Sequence, residues 1–158
     1  MIEVGQKLPE ATLYYRGEQG LNGCSVAELT GSQRIVLFAV PGAFTPTCSD
    51  AHVPGFIALN DAIRAKGVDK IYCVAVNDPF VMKFWGEYLN VGDAVRMLSD
   101  GNGAFTQALG MERDMRGGAM GIRSKRYAMI VNNGVVEWLG VDESGLANSS
   151  AEAVLAAL

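Results

Sequence analysis

Two hydroxyl side chains and one thiol, in Thr45-Pro46-Thr47-Cys48, lie beyond the apolar run Arg34 to Val40 and the pair Pro41-Gly42, with two residues between. The run reads as a buried strand, and the residues beyond Cys48 are apolar at helical spacing, so the cysteine stands where a strand gives way to a helix. Ligands and reactive groups collect at that junction in open α/β sheets. With Thr47 near the N-cap, Cys48 falls in the first helical turn, where unpaired backbone N–H groups and the helix dipole favour the thiolate over the thiol. A cysteine in an arbitrary setting is more often a small buried hydrophobe; here the placement argues for chemistry. A hydroxyl on the same loop can hydrogen-bond an incoming oxygen atom and orient it against sulfur. That combination points to an oxygen electrophile. Neither a metal nor a flavin is required, and no cofactor is expected.

The elements that must hold this loop can be read on either side of it. "RIVLFAV" (34–40) and "IYCVAV" (71–76) are apolar on both alternating faces, as central parallel strands are, and should be neighbours. Between them a crossover helix with Ile57, Leu59, Ala62 and Ile63 on its apolar face ends at Gly67, and Pro54 should kink it. Asp78 and Pro79 then open a second helix as N-cap and first residue. "VRMLSD" (95–100) reads as a strand and "GAFTQALG" (103–110) as a short helix. Residues 126–141 form two strands around Asn133-Gly134, a tight hairpin turn, and "SSAEAVLAAL" is a closing helix. "LPEATLYYRG" (8–17) supplies an extra N-terminal strand or hairpin. The order predicts an α/β fold, a central mixed sheet flanked by helices, with an antiparallel edge on a parallel core. It matches an elaborated thioredoxin-like fold with an N-terminal strand extension. Thiol-disulfide oxidoreductases of that fold carry C-x-x-C at this turn; Thr45-Pro46-Thr47-Cys48 has a hydroxyl in place of the first sulfur, so a dithiol exchange centre is absent.

With 158 residues, 49% of them hydrophobic and 19% charged, the chain is expected to fold as one domain over residues 1–158. A net charge of −4 argues against a nucleic-acid surface. No stretch suits a membrane span or a secretory leader, and the expected compartment is the cytoplasm. Three cysteines, Cys24, Cys48 and Cys73, match neither a disulfide framework nor a zinc C-x-x-C pair; they read as reduced thiols. The glycines of "GDAVRMLSDGNGAF" lack the spacing of a dinucleotide loop, and "RGGAMG", flanked by Met111, Met115 and Met120, reads as a loop.

"PGAFTPTCS" resembles the peroxiredoxin active-site loop, P-x-x-x-T-x-x-C, with Pro41, Thr45 and Cys48 matching residue by residue. The following "DAHVPGF", "VAVNDPFVMKFW" (74–85) and "RSKRYAMIVNNGVV" (123–136) are similar to the peroxiredoxin-5, or type II, subfamily of the thioredoxin-like superfamily, so the likeness spans most of the chain. The resemblance implies a thiol-dependent peroxidase acting on hydrogen peroxide and alkyl hydroperoxides. In it Cys48 is the peroxidatic cysteine, Thr45 hydrogen-bonds the peroxide, Pro41 shields the cysteine and Arg126 is the catalytic arginine. Backbone N–H groups of Thr47 and Cys48 would assist in binding substrate. Arg123, in the same "R-S-x-R" region, ranks second to Arg126. The resemblance also implies a homodimer joined near the active-site loops, for which Phe44, Phe80 and Trp85 are candidate anchors beside the commoner fate of core packing.

On that reading Cys48 attacks one peroxide oxygen in line, expels water or an alcohol and becomes a sulfenic acid, which a second thiol must reset. Cys73 lies in a central apolar strand, where a thiol is inert, and the distance of Cys24 from Cys48 cannot be read from the sequence. Some subfamily members carry a resolving cysteine in the C-terminal loop; Asn148 stands near that position here. The reading is therefore a one-cysteine cycle reduced by glutathione with glutaredoxin, or by thioredoxin. Two other readings exist. His52, four residues after Cys48, would share a helical face with it and makes a Cys-His hydrolase conceivable, although no third orienting group is evident and a site-supporting role fits better. A redox sensor or holdase, in which oxidation of Cys48 alters a partner interaction, would need to react only once where a peroxidase cycles.

Overall fold

A computed structural model describes residues 1–158. Its main sheet has seven strands: β1 (Thr12–Gly17), β2 (Gly20–Ser25), β3 (Arg34–Ala39), β4 (Lys70–Ala75), β5 (Arg96–Ser99), β8 (Arg126–Asn132) and β9 (Val135–Asp142), in the order β2-β1-β5-β4-β3-β8-β9. The two apolar runs are adjacent and parallel, with Phe38 beside Cys73, and β5 extends the parallel core. β8 and β9 form the expected antiparallel hairpin, turning at Asn133 and Gly134 with φ of 49° and 81°. β1 and β2 form the hairpin expected of the N-terminal extension.

Alternation along the central strands divides the core into two layers. Val36, Phe38, Cys73, Ala128 and Ile130 face one way, against α2 (Val53–Ala58), α3 (Asn60–Ala65), α4 (Pro79–Tyr88) and α6 (Ala151–Ala157) through Phe56, Ile63, Trp85 and Val154. Ile35, Leu37, Tyr72, Val74 and Met129 face the other way, towards α1 (Val26–Thr30) and α5 (Ala104–Leu109) through Leu29, Phe105 and Leu109. Each such large side chain, buried fully, contributes on the order of 2 kcal/mol. No helix is long and apolar enough to cross a membrane.

The helix starts follow the capping chemistry read from the sequence. The Asp78 carboxylate accepts from the Val81 N–H at 2.9 Å, with Pro79 in the first turn, and Ser150 caps α6 through the Ala153 N–H. The crossover is less simple than one kinked helix. Residues Cys48–His52 form a π turn, in which the Val53 N–H reaches back to the Cys48 carbonyl, and the helix breaks again at Leu59, with φ −97° and ψ 9°. The widened turn lies just ahead of Pro54, whose ring would collide with the carbonyl four residues earlier in a regular α-helix.

"RGGAMG" (116–121) is a connecting turn, as expected, but the residues on either side of it form two short strands that were not. β6 (Glu112–Asp114) and β7 (Ile122–Ser124) pair as a separate antiparallel ribbon, joined through a single turn at Arg116–Gly118. Three residues per strand around a glycine-rich connection are too few to display an alternation that could be read beforehand.

Candidate active site

The parallel order of β3 and β4 leaves the end of β3 facing the loop Pro41 to Thr47, and antiparallel β8 begins at that same end, where Ala39 pairs with Tyr127. Arg126, the first residue of β8, is thereby carried to the helix turn that holds Cys48. Its Nη2 donates to Cys48 Sγ at 3.2 Å, and both side chains are buried. In the loop, Thr45 Oγ1 donates to the Gly42 carbonyl at 2.7 Å, and the Ser49 N–H bonds back to the Thr45 carbonyl at 3.0 Å. The N–H groups of Thr47 and Cys48 fall in the opening turn, where helix geometry offers no intrahelical partner.

The other guanidinium nitrogen, Nη1, lies 2.8 Å from His52 Nδ1. His52 Nε2 lies 2.8 Å from the Ser149 carbonyl, which can only accept, so Nε2 carries the proton and Nδ1 is left to accept from Arg126. The ring is wedged against Phe38 and Phe56, at centroid distances of 4.9 Å and 5.7 Å. Burial lowers the His52 pKa from 6.5 to about 4; the bond to Ser149 opposes this and the positive charge of Arg126 adds to it. The imidazole is therefore neutral at physiological pH. Its nitrogens are directed at Arg126 and Ser149 and not at sulfur, which removes the Cys-His hydrolase geometry.

Asp142 pairs with Arg126 across the β8–β9 ladder, but its oxygens turn to the following loop. They accept from the N–H groups of Ala147, Asn148 and Ser149 at 3.1, 3.0 and 2.8 Å, and from the Ser149 hydroxyl at 2.7 Å. Burial pushes the Asp142 carboxyl up, yet these donors together hold it below its ordinary value. The same loop presses on Gly140, where a Cβ would overlap the Asn148 carbonyl. Asp142 thus fixes Ser149, Ser149 fixes His52, and His52 aims Arg126. With its neighbouring carboxylate engaged elsewhere, the buried guanidinium is left facing the Cys48 sulfur.

Pro41, Thr45, Thr47, Arg126, Met115 and Met120 line a cavity of about 330 Å³ above the buried cysteine. The expected site residues Pro41, Thr45, Thr47, Cys48 and Arg126 are therefore together. Arg123 is turned aside, its Nε donating to the Met120 carbonyl at 2.7 Å. A larger cavity, about 860 Å³, is lined by Lys70 and Arg96 at the starts of β4 and β5, the opposite end of the sheet from Cys48. Size does not locate the chemistry here. Asp142 and Ser149 were not anticipated: the register of a tight turn at Asn133-Gly134 would set Arg126 opposite Val141, and it is the bulge between Ile130 and Val131 that brings Asp142 there.

The remaining cysteines are poorly placed to resolve Cys48. Cys73 is fully buried, and burial first, then the nearby Cys48 charge, pushes its thiol well up. Cys24, on β2, packs against the core layer on the other side of the sheet from Cys48.

The family model described as Redoxin matches residues 3–155. The chain is 49% identical to the chloroplastic peroxiredoxin-2E of Arabidopsis thaliana, over 99% of this chain and 69% of that one, and 53% identical to the chloroplastic peroxiredoxin-2E-2 of Oryza sativa subsp. japonica, over 99% and 72%. Among solved structures, reduced Prx3 in complex with H2O2 from Vibrio vulnificus superposes with a TM-score of 0.96 at 52% identity, covering 99% of each chain. Peroxiredoxin 5 from Alvinella pompejana does so at 0.86 and 32%, covering 99% of this chain and 97% of that one. The chloroplastic relatives correct the expectation of a cytoplasmic address. That expectation rested on finding neither a secretory leader nor a membrane span, and those two signals do not distinguish the cytoplasm from a plastid. Fold, loop and relatives agree: the chain belongs to the redoxin family, as a thioredoxin-like peroxiredoxin of the type II and peroxiredoxin-5 kind, and is a thiol-dependent peroxidase.

Proposed function

We propose that Cys48 is the peroxidatic residue, with Arg126, Thr45, Pro41 and the backbone of Thr47 and Cys48 completing the site. The observation that carries this reading is the 3.2 Å contact from Arg126 Nη2 to Cys48 Sγ. The guanidinium stabilises negative charge on sulfur and, as the O–O bond opens, on the departing oxygen. The Thr45 hydroxyl hydrogen is engaged by Gly42, which leaves its oxygen lone pairs to accept from the peroxide O–H. Pro41 forms part of the wall that keeps bulk water from the sulfur. The sulfur attacks one peroxide oxygen, the second leaves with a proton as water or alcohol, and Cys48 becomes a sulfenic acid. The relative from Vibrio vulnificus studied with H2O2 supports hydrogen peroxide as a substrate here.

Resolution then falls to an external thiol. The burial of Cys73 and the placement of Cys24 across the sheet favour a one-cysteine cycle, with glutathione and glutaredoxin, or thioredoxin, as reductant. Residues 1–158 act as a single domain, and two copies associate as a homodimer. Intact mass under non-reducing conditions, after one equivalent of hydrogen peroxide with and without glutathione, tests the cycle. The expected result is one added oxygen on Cys48, converted by glutathione to a mixed disulfide. A mapped bridge from Cys48 to Cys24 or Cys73 would overturn the one-cysteine cycle, and an unmodified Cys48 would overturn the site.

A further inference from the structure

The ribbon β6–β7 borders the Cys48 cavity through Arg113, and it places Arg113 directly opposite Arg123. Side chains directly opposed on an antiparallel pair stand about 5 Å apart at Cβ, and two like charges there repel. Neither takes part in an ion pair. The chain's four ion pairs are Arg34 with Glu137, Lys83 with Glu87, Arg116 with Asp114, and Lys125 with Glu143. Asp114 of the ribbon is committed to Arg116, Glu143 to Lys125, and Asp142, which lines the same cavity as Arg113, to the donors of its own loop. Glu112 neighbours Arg113 in sequence and so projects from the other face. Arg113 lines the cavity with Met115 and Met120. Arg123 keeps one nitrogen on the Met120 carbonyl, while its Nη1 lies 3.2 Å from where a Cβ on Gly42 would stand, a point also crowded by Met120 Cε and Thr45 Cγ2.

We propose that Arg113 and Arg123 form a carboxylate-binding subsite at the mouth of the Cys48 cavity, with Met115 and Met120 as the apolar wall beside it. The inference rests on the reading of Cys48 as the reacting centre only for what the subsite serves, since binding can be measured without turnover. A planar guanidinium pair matches a carboxylate through two parallel N–H donors, and an anion between the arginines relieves their repulsion. Two kinds of molecule bring a carboxylate to this cavity. One is a small acidic thiol of the glutathione type, whose sulfur attacks the Cys48 sulfenic acid to give a mixed disulfide and one water. The other is a hydroperoxide of a carboxylic acid, whose alkyl chain would lie along the methionines while its distal oxygen passes to Cys48 and the alcohol departs.

Matched acids and esters separate the sources. Binding to the reduced wild-type protein is measured by calorimetry for S-methylglutathione against its diethyl ester, and for a hydroxy-octadecadienoic acid, the alcohol product of a fatty-acid hydroperoxide, against its methyl ester. Esterification should raise Kd about fivefold in at least one pair, the size of a half-exposed charge interaction, and the affected pair names the ligand source. Arg113→Gln and Arg123→Gln should each erase the difference, and Arg113→Lys should retain part of it. Equal affinity for acid and ester in both pairs, or an acid preference that survives both glutamine variants, overturns the subsite. A protein that keeps the acid preference while Cys48 stays unoxidised by hydrogen peroxide would sink the catalytic reading and leave the subsite standing.

Discussion

His52 joins the thiol chemistry to the stability of the fold, because its ring is held neutral in a buried cleft. Its pKa is lowered to about 4 in the folded protein from 6.5. Between those values the unfolded chain binds a proton that the native state refuses, so the native state loses ground as pH falls. The contribution is intact above about pH 6.5, declines through that window and is fully lost near pH 4. A shift of this size corresponds to about 3 kcal/mol. Urea unfolding at pH 7.5, 6 and 5 should show a falling midpoint for the wild type and a flatter profile for His52→Gln; parallel profiles would place the acid sensitivity elsewhere. The carboxyl of Asp142, held below its ordinary 3.8, acts in a lower window, losing its stabilisation only as pH falls below that value. Arg126 is the other residue whose loss is specific. Arg126→Ala removes the donor on sulfur and leaves the His52 Nδ1 acceptor bare, so stopped-flow oxidation of Cys48 by hydrogen peroxide should slow by about 100-fold. An unchanged rate would transfer the role to Arg123. Cys48 and Thr45 were legible in the sequence through residue type and spacing, whereas Arg126 was singled out only by the family resemblance of the segment around it. The use made of His52 was not legible: its distance from Cys48 along the helix is evident, but which nitrogen meets Arg126 depends on a Ser149 carbonyl 97 residues away.

Elements bring these residues together, and the ones easiest to read are those whose pattern repeats several times. Strands β3 and β4 are buried on both faces over five residues or more, and the Asn133-Gly134 turn has local chemistry that demands positive φ. The β6–β7 ribbon has neither length nor pattern, and the π turn at Cys48–His52 is set by how the helix accommodates Pro54, a tertiary compromise that periodicity does not encode. The loop after β9 is similarly silent in sequence, although it buttresses the site. Its packing depends on Gly140, against which the Asn148 carbonyl is closed down with no room for a Cβ. Gly140→Ala should push this loop outward, weakening the Asp142 bonds to residues 147–149 and, through Ser149, the orientation of His52. A loss of about 1–3 kcal/mol in unfolding free energy is expected, of the size seen when a backbone must shift to admit a methyl group. It should be accompanied by a slower Cys48 oxidation step. Wild-type stability and rate in this variant would show that the loop is free to move without consequence for the cysteine.

At the scale of the whole molecule, the active-site loop is continuous with an apolar surface that the chain does not cover by itself. Phe44 in that loop is 51% exposed, and Phe80, Phe84 and Tyr88 along α4 are exposed by 54%, 54% and 68%. Phe44 meets Tyr88 with ring centroids 5.6 Å apart and holds a φ of 63°, a conformation that a bulky residue adopts at a cost. Contiguous exposed aromatics beside a strained loop mark an association surface, and a second copy of the chain is the occupant that the proposed homodimer supplies. Trp85, named with Phe44 and Phe80 as a sequence candidate for this surface, is instead fully buried and donates from its indole nitrogen to Ser49 Oγ at 3.0 Å. It fastens α4 to the turn that follows Cys48, so a partner pressing on α4 also presses on the catalytic turn. Sedimentation velocity should give a dimer for the wild type and a monomer for Phe84→Asp, a side chain that touches neither Cys48 nor Arg126. If the surface serves the site, dilution of the wild type below its dimer dissociation constant should slow hydrogen peroxide turnover, and Phe84→Asp should be slow at every concentration. A monomeric wild type would remove the association, whereas a dimer whose activity ignores dilution would confine the interface to assembly and leave the Phe44 loop held by its own chain.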